Sequence, residues 1–309
     1  MAGYVLRRIL QIIPVFLGTT LIIYFLVFAL PGDPLLALFG DKTPNEAVLQ
    51  RLREQYHLDQ PFIVQYWYYI SGIFQGDFGT SFNGQPVSEQ LVRAFPITLR
   101  LATLAILFEI IFGITVGLVA GLRKGSVFDA TSLILSLVLI SLPIFVIGFT
   151  AQFVFAIKLD WFRTTVALGA PIQDLVLPAL VLASINFAVV LRLTRASVID
   201  TGNQDFVRMA FGKGLPTRRV IPVHILRNSL IPVTTSLAAD FGILIVGATV
   251  TEGIFNISGV GGTLFRAIKL HENPTVVSFV TVMVILYLIV NLIIDLLYAV
   301  LDPRIRYVK

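Results

Sequence analysis

Apolar residues dominate six stretches of the chain, at 9–30, 97–122, 132–157, 175–198, 232–251 and 275–301. Each is long enough to cross a hydrocarbon layer about 30 Å thick, which takes about 20 apolar residues. The first run ends at Pro31-Gly32-Asp33-Pro34, a helix-stopping sequence. Only Arg7 and Arg8 precede that run, and no small-residue cleavage site follows it. It therefore reads as a retained helix, not a removed signal. Pro143 and Gly148 interrupt the third run and permit a kink. The expected fold is an all-α polytopic membrane protein with six spans and a long loop, 31–96, after the first. With no internal repeat, residues 1–309 read as a single transmembrane domain.

The polar stretches have characters of their own. Within 31–96 lie an amphipathic segment at 45–56, the aromatic cluster Tyr66-Trp67-Tyr68-Tyr69 and a turn-rich loop from Gly76 to Phe82. The aromatics suit a membrane interface and equally a packed surface helix. Residues 200–231 form a polar loop between spans four and five, and 252–274 a glycine-rich loop between five and six.

Charge orients the spans. Arg7, Arg8, Arg123, Lys124, the basic residues from Arg192 to Arg227, and Arg304, Arg306 and Lys309 share one side of a six-span chain. That side is expected to be cytoplasmic, with both termini there, as the positive-inside bias requires. The net charge of +5 is spread between apolar runs, not gathered into a patch, which argues against nucleic acid as a partner. Charged residues make up only 13% of the chain, against about 25% in soluble proteins. There are no cysteines, and His57, His224 and His271 match no zinc spacing. No phosphate-binding loop, nucleophile elbow or metalloprotease pair is present, so the chain is not expected to be an enzyme. Any pumping would draw on a partner or an ion gradient.

The loop at 200–231 carries the most information. Asp205-Phe206-Val207-Arg208-Met209-Ala210-Phe211-Gly212-Lys213 reads as a short helix, ended by Gly214 and by Pro216 beyond Leu215. Exposed Phe206, Met209 and Phe211 suit either a groove on another protein or a lipid interface.

Those residues resemble the cytoplasmic loop of ABC importer permeases, whose pattern is E-A-A, three residues, G, nine residues, I-x-L-P. Ala210, Gly214 and Leu226 match it. Arg208, Met209, His224 and Arg227 depart from it. The variant here, continuing through Leu215 and His224-Ile225-Leu226-Arg227-Asn228, is similar to the dipeptide/oligopeptide/nickel permease family, from which Met209 and Phe211 also depart. Leu30-Pro31-Gly32-Asp33-Pro34, Gly76-Asp77-Phe78-Gly79, Leu191-Arg192-Leu193-Thr194-Arg195, Glu252-Gly253-Ile254-Phe255 with Gly259-Val260-Gly261, and Asn291 through Asp302-Pro303-Arg304 resemble that family's other motifs in order. The long first loop resembles its B-type subunit.

The resemblance implies the type I ABC importer permease fold and the import of di- or oligopeptides, or a related solute, across the cytoplasmic membrane. It implies a C-type permease partner, two ATP-binding subunits holding ATP and Mg, and an extracytoplasmic substrate-binding protein; this chain itself would hold no cofactor. Asp205, Phe206, Arg208, Met209, Ala210, Phe211, Gly214, Leu215, His224 and Arg227 would couple to the ATPases. Asp77, Phe78, Gly79, Glu252, Phe255, Gly259 and Gly261 would meet the binding protein. Intramembrane polar residues usually face a bundle interior or water, and Glu109, Asn186 and Asp240 are candidates for lining the path. Interhelical hydrogen bonding is the structural alternative, favoured for Asn291 and Asp295. A gradient-driven secondary transporter is the alternative function, but such proteins more often carry repeats.

Overall fold

The computed structural model describes residues 2–28, 45–55, 57–81, 84–167 and 169–301. The expected stop at 31–34, Phe82 and the basic tail 302–309 lie outside the described residues. Those described are helical apart from turns and an isolated bridge between Thr80 and Pro86. The helices are α1 Ala2–Phe28, α2 Glu46–Gln55, α3 Phe62–Phe74, α4 Val87–Leu122, α5 Val127–Ser141, α6 Ile144–Lys158, α7 Ile172–Gly202, α8 Asp205–Gly212, α9 Arg227–Ile254, α10 Val260–Lys269 and α11 Asn273–Leu301. Five helices are long and apolar enough to cross a membrane, and the bent pair α5–α6 makes a sixth if it counts as one span.

Two compact units divide the chain. The first comprises 1–96 and 258–309, the second 97–257. In the first, α1 packs antiparallel on α11. Arg8 Nη2 meets Asp295 Oδ1 at 3.0 Å near one end, and Asn273 Nδ2 donates to the Val27 carbonyl at 3.4 Å near the other. Helix α3 lies along both through its tyrosines. Tyr66 OH donates to the Leu17 carbonyl at 2.9 Å, and Tyr69 OH donates to Thr281 Oγ1 at 2.5 Å.

The second unit is built on α7, which is buried along most of its length and receives α4 on one face. Gly113, Gly117 and Gly121 line that contact at i, i+4 spacing. A Cβ on Gly117 would stand 2.6 Å from the Leu191 carbonyl oxygen, and one on Gly121 would stand 2.8 Å from Val198 Cβ. Only glycine permits so close an approach, the arrangement that small-residue stripes give to membrane helices. The turn into α5 is fixed as well. Gly125, at φ +81°, donates to Asp129 Oδ2, and Ser126 Oγ caps the Asp129 N–H. Asp129 in turn takes Arg195 of α7 in a two-pronged pair, Nε to Oδ1 and Nη2 to Oδ2, the latter at 2.8 Å.

Several elements differ from the sequence expectation. The third apolar run bends by 107° between α5 and α6. Pro143 supplies no N–H and forces Leu142 into an extended conformation, so the helix restarts in a new direction. Helix α4 begins at Val87, which places Pro96 inside it. Val87, Leu91 and Ala94 are buried at helical spacing, although Glu89 and Arg93 lower the hydropathy there. The segment expected to be a glycine-rich loop contains α10, because Gly261 and Gly262 are buried on its packing face. Residues 217–226 are helical and run directly into α9, with a π-helical stretch at Ile221–Leu226.

Two stability changes follow. Gly117→Ala should cost about 1–3 kcal/mol through overpacking. Gly18→Ala, with nothing within 4 Å of the added methyl, should be neutral, and thermal unfolding of the purified chain would compare them. Arg195→Met leaves the Asp129 carboxylate, 4% exposed, without its cation. It should cost about 3–5 kcal/mol, and a melting temperature equal to the parent's would refute a structural role for the pair.

Candidate functional site

Helix α8 is short, and its two faces differ sharply. Val207 and Ala210, three residues apart, are buried in a cluster with Val198, Val220 and Ile225, which Leu118, Leu215 and Ile221 enclose. The cluster joins α8 to the end of α7 and to the residues leading into α9. The other face is open: Phe206 is 43% exposed, Met209 58% and Phe211 46%. Arg208 and Asp205 are also exposed and lie 3.6 Å apart, too solvated to fix much.

The C-terminus of α8 is locked by backbone geometry. Leu215 N–H donates to the Ala210 carbonyl at 3.3 Å, and Gly214 N–H donates to the Phe211 carbonyl at 2.9 Å. Gly214 sits at φ +78°. These two bonds and the left-handed glycine form a Schellman motif, and Leu215 folds back onto the cluster as that motif favours. His224 is half-buried in the π-helical stretch against which α8 packs, and its carbonyl accepts from Asn228 Nδ2 at 2.6 Å. Arg227 is exposed one turn on. Ser229 Oγ donates to both the Ile225 and Ser197 carbonyls, at 2.9 and 3.2 Å, which stitches α9 to α7 beside the cluster. The ten residues assigned to coupling lie on α8, in the turn that ends it and in the stretch leading into α9.

Elsewhere in the second unit, three polar residues of the spans, Glu109, Asn186 and Asp240, come together. Glu109 lies in a π-helical segment of α4, Glu109–Gly113, and is fully buried. Asn186 of α7 and Asp240 of α9 are the polar side chains that face it. Neither carboxylate oxygen of Glu109 has a partner in hydrogen-bond geometry among the described residues. Asn186 and Asp240 are part-exposed, and Ser236 Oγ donates to Asp240 at 3.5 Å. Among the described residues no group of three metal-ligating side chains gathers.

The residues expected to meet a binding protein differ in burial. Asp77 and Gly79 are exposed in a tight turn, in which Gly79 N–H donates to Asp77 Oδ1 at 2.8 Å. The half-buried Phe78 offers its carbonyl to Ser278 Oγ at 2.7 Å. Glu252, Phe255, Gly259 and Gly261 are buried, which removes them from a docking surface in this conformation. Glu252 Oε1 accepts from Thr98 Oγ1 at 2.7 Å, and the Phe255 carbonyl accepts from Val166 N–H at 3.0 Å. Gly259 caps α10, and Gly261 lies in its packing face.

Sequence reasoning overlooked the support beneath the site. Val207, Val220 and Ile225 form the base of α8, and Asp129 and Arg195 pin α5 to α7 nearby. The repeat Gly-x-x-x-Gly-x-x-x-Gly from Gly113 was a readable signal, as was an acidic residue three places after Ser126.

Comparison with known proteins matches residues 113–307 to the family described as binding-protein-dependent transport system inner membrane component, and residues 1–102 to its N-terminal family. The chain is 35% identical to the glutathione transport system permease protein GsiC of Salmonella typhimurium strain LT2, with 99% of this chain and all of that protein covered. It is also 35% identical to the dipeptide transport system permease protein DppB of Escherichia coli strain K12, with both chains covered in full.

Proposed function

The chain belongs to the family of binding-protein-dependent transport system inner membrane components, and on that premise we propose that α8 is the element through which it receives mechanical work. It is a multi-pass membrane permease subunit of an ABC importer and not itself an enzyme. On our reading it pairs with a C-type permease, binds two ATP-binding subunits that hold ATP and Mg, and accepts substrate from an extracytoplasmic binding protein. The cargo is a dipeptide, an oligopeptide or a small peptide such as glutathione, the substrates in the names of its relatives. Both termini and α8 face the cytoplasm, on the side rich in Arg and Lys.

The observation that carries this reading is the division of α8 into an anchored and an open face. Apolar side chains on a solvent-facing helix favour a groove on a partner. The buried face supplies the lever. Val207 and Ala210 are packed onto the end of α7 and the start of α9, so a displacement of α8 passes to both helices. Helix α7 then carries α4 through the glycine contact, and the part-exposed Asn186 and Asp240, with Glu109 behind them, move relative to the path.

Two tests address the two ends of this chain of motion. The double change Met209→Ala, Phe211→Ala alters exposed side chains, so the melting temperature should hold. Loss of two anchors of this kind should weaken ATPase-subunit binding by on the order of 2 kcal/mol, roughly thirtyfold in affinity. Undiminished co-purification together with parental substrate-stimulated ATP hydrolysis would rule out coupling through this face. At the other end, Glu109→Gln and Asp240→Asn should each lower uptake of a labelled dipeptide into vesicles loaded with the assembled importer. Parental uptake by both variants would remove these residues from the path.

A further inference from the structure

Helix α3 lies where a loop between two spans is not expected to reach. The apolar stretch of α1 runs from Leu6 to Phe28, about 34 Å at 1.5 Å per residue, which places Phe16 near its middle. Phe62, at the start of α3, packs on Tyr24 and Phe25, with ring centroids 5.7 Å from each. One turn on, Tyr66 OH reaches Leu17 and Thr20. At the end of α3 the Phe74 ring lies edge-on to Phe16, 6.3 Å away. Helix α3 therefore descends antiparallel to α1, from the end opposite Arg8 to the middle of the span.

The side chains of α3 suit that depth. None between Phe62 and Phe74 is charged. Ser71 Oγ donates to the Tyr68 carbonyl at 2.9 Å, and Gln65 Nε2, near the shallow end, donates to the Gln60 carbonyl at 2.7 Å. These two side chains thus find local partners, as hydrocarbon demands. Ile70 and Ile73 are buried, while Ile63, Trp67 and Phe74 are 77%, 70% and 75% exposed. That outer face continues the exposed apolar positions Leu21, Ile22 and Phe25 of α1 at the same level. The turn that follows α3 is irregular and polar, and Asp77 and Gly79 border a cavity of about 230 Å³ that extends to His57 and Pro274. Irregular backbone at membrane depth is tolerated where it lines such a space.

We propose that α3 is a re-entrant helix whose Ile63, Trp67 and Phe74 face contacts the acyl chains of the membrane leaflet opposite Arg8 and Asp295. Trp67 lies seven residues before Phe74, about 10 Å nearer the headgroups, at the boundary level that tryptophan favours. The helix anchors the first long loop in the bilayer and holds the Asp77 turn at a fixed depth beside α11.

The chain has no cysteine, so Ile63→Cys, Trp67→Cys and Phe74→Cys each carry one spin label. These variants would be assembled with the partner subunits, freed of cysteines, in phosphatidylcholine and phosphatidylglycerol bilayers, with peptide uptake as the check on folding. The ratio of oxygen to nickel-chelate collision rates should rise from position 63 to 67 to 74, with nickel access lost at 74. High nickel access at both 67 and 74 would overturn the proposal, since α3 would then lie in water. Loss of both oxygen and nickel collisions on assembly would overturn it too, because a protein partner would then cover the face. Should Trp67→Cys fail to assemble, the gradient between 63 and 74 decides the matter.

Discussion

The second unit depends on one close approach. Gly113, Gly117 and Gly121 let the backbone of α4 rest directly on Val190, the Leu191 carbonyl, Thr194 and Val198 of α7. In a bilayer the hydrophobic effect does little to hold helices together, so packing of this kind supplies much of the association energy. The contact also fixes the rotation of α4. With the glycines turned toward α7, Leu118 is placed over the cluster beneath α8, and Glu109 is placed opposite Asn186 and Asp240. A longer side chain at any of the three positions would separate the helices and disturb both ends at once.

This geometry gathers the contacts of the second unit on α7. One end holds α8 through Val198, and Arg195 nearby is tied to α5 by Asp129. The middle holds Asn186. All three π-helical segments among the described residues, in α4, in α6 and at the entry to α9, fall within the second unit. Such segments recur at functional sites because an extra residue per turn leaves a carbonyl free and a helix easier to shift. Glu109 begins one of them, buried and without a hydrogen-bond partner among the described residues.

Much of this was legible in the sequence, and the physical reason is the same for each part that was. Crossing hydrocarbon takes a long apolar run, so five helices and the bent pair stood out in the hydropathy pattern. The end of α8 was readable because a left-handed residue after a helix calls for glycine, and Gly214 supplies it. What was not legible depended on neighbours distant in the chain. Pro143 permits a kink, but the size of the bend, 107°, is not written in the local sequence. Gly261 and Gly262 look like loop residues until the surface they pack against is known. Glu252 and Phe255 resemble a docking motif, yet Thr98 and Val166 claim them for the interior.

The pattern of matches in the α8 loop then takes on a physical meaning. Two of the three positions that match the importer loop are fixed by this chain's own fold: Ala210 is buried against Val220 and Ile225, and Gly214 holds a backbone angle closed to other residues without strain. Four of the departures, Arg208, Met209, Phe211 and Arg227, are exposed, and the fifth, His224, is half-buried. The anchor of α8 is therefore set from within, while its outer face is free of that constraint. Met209 and Phe211 offer large, adaptable apolar surface, and a groove that received them would be correspondingly apolar. Specificity between this permease and its own ATPases would then reside in those exposed positions, and the transmission of force in the buried ones.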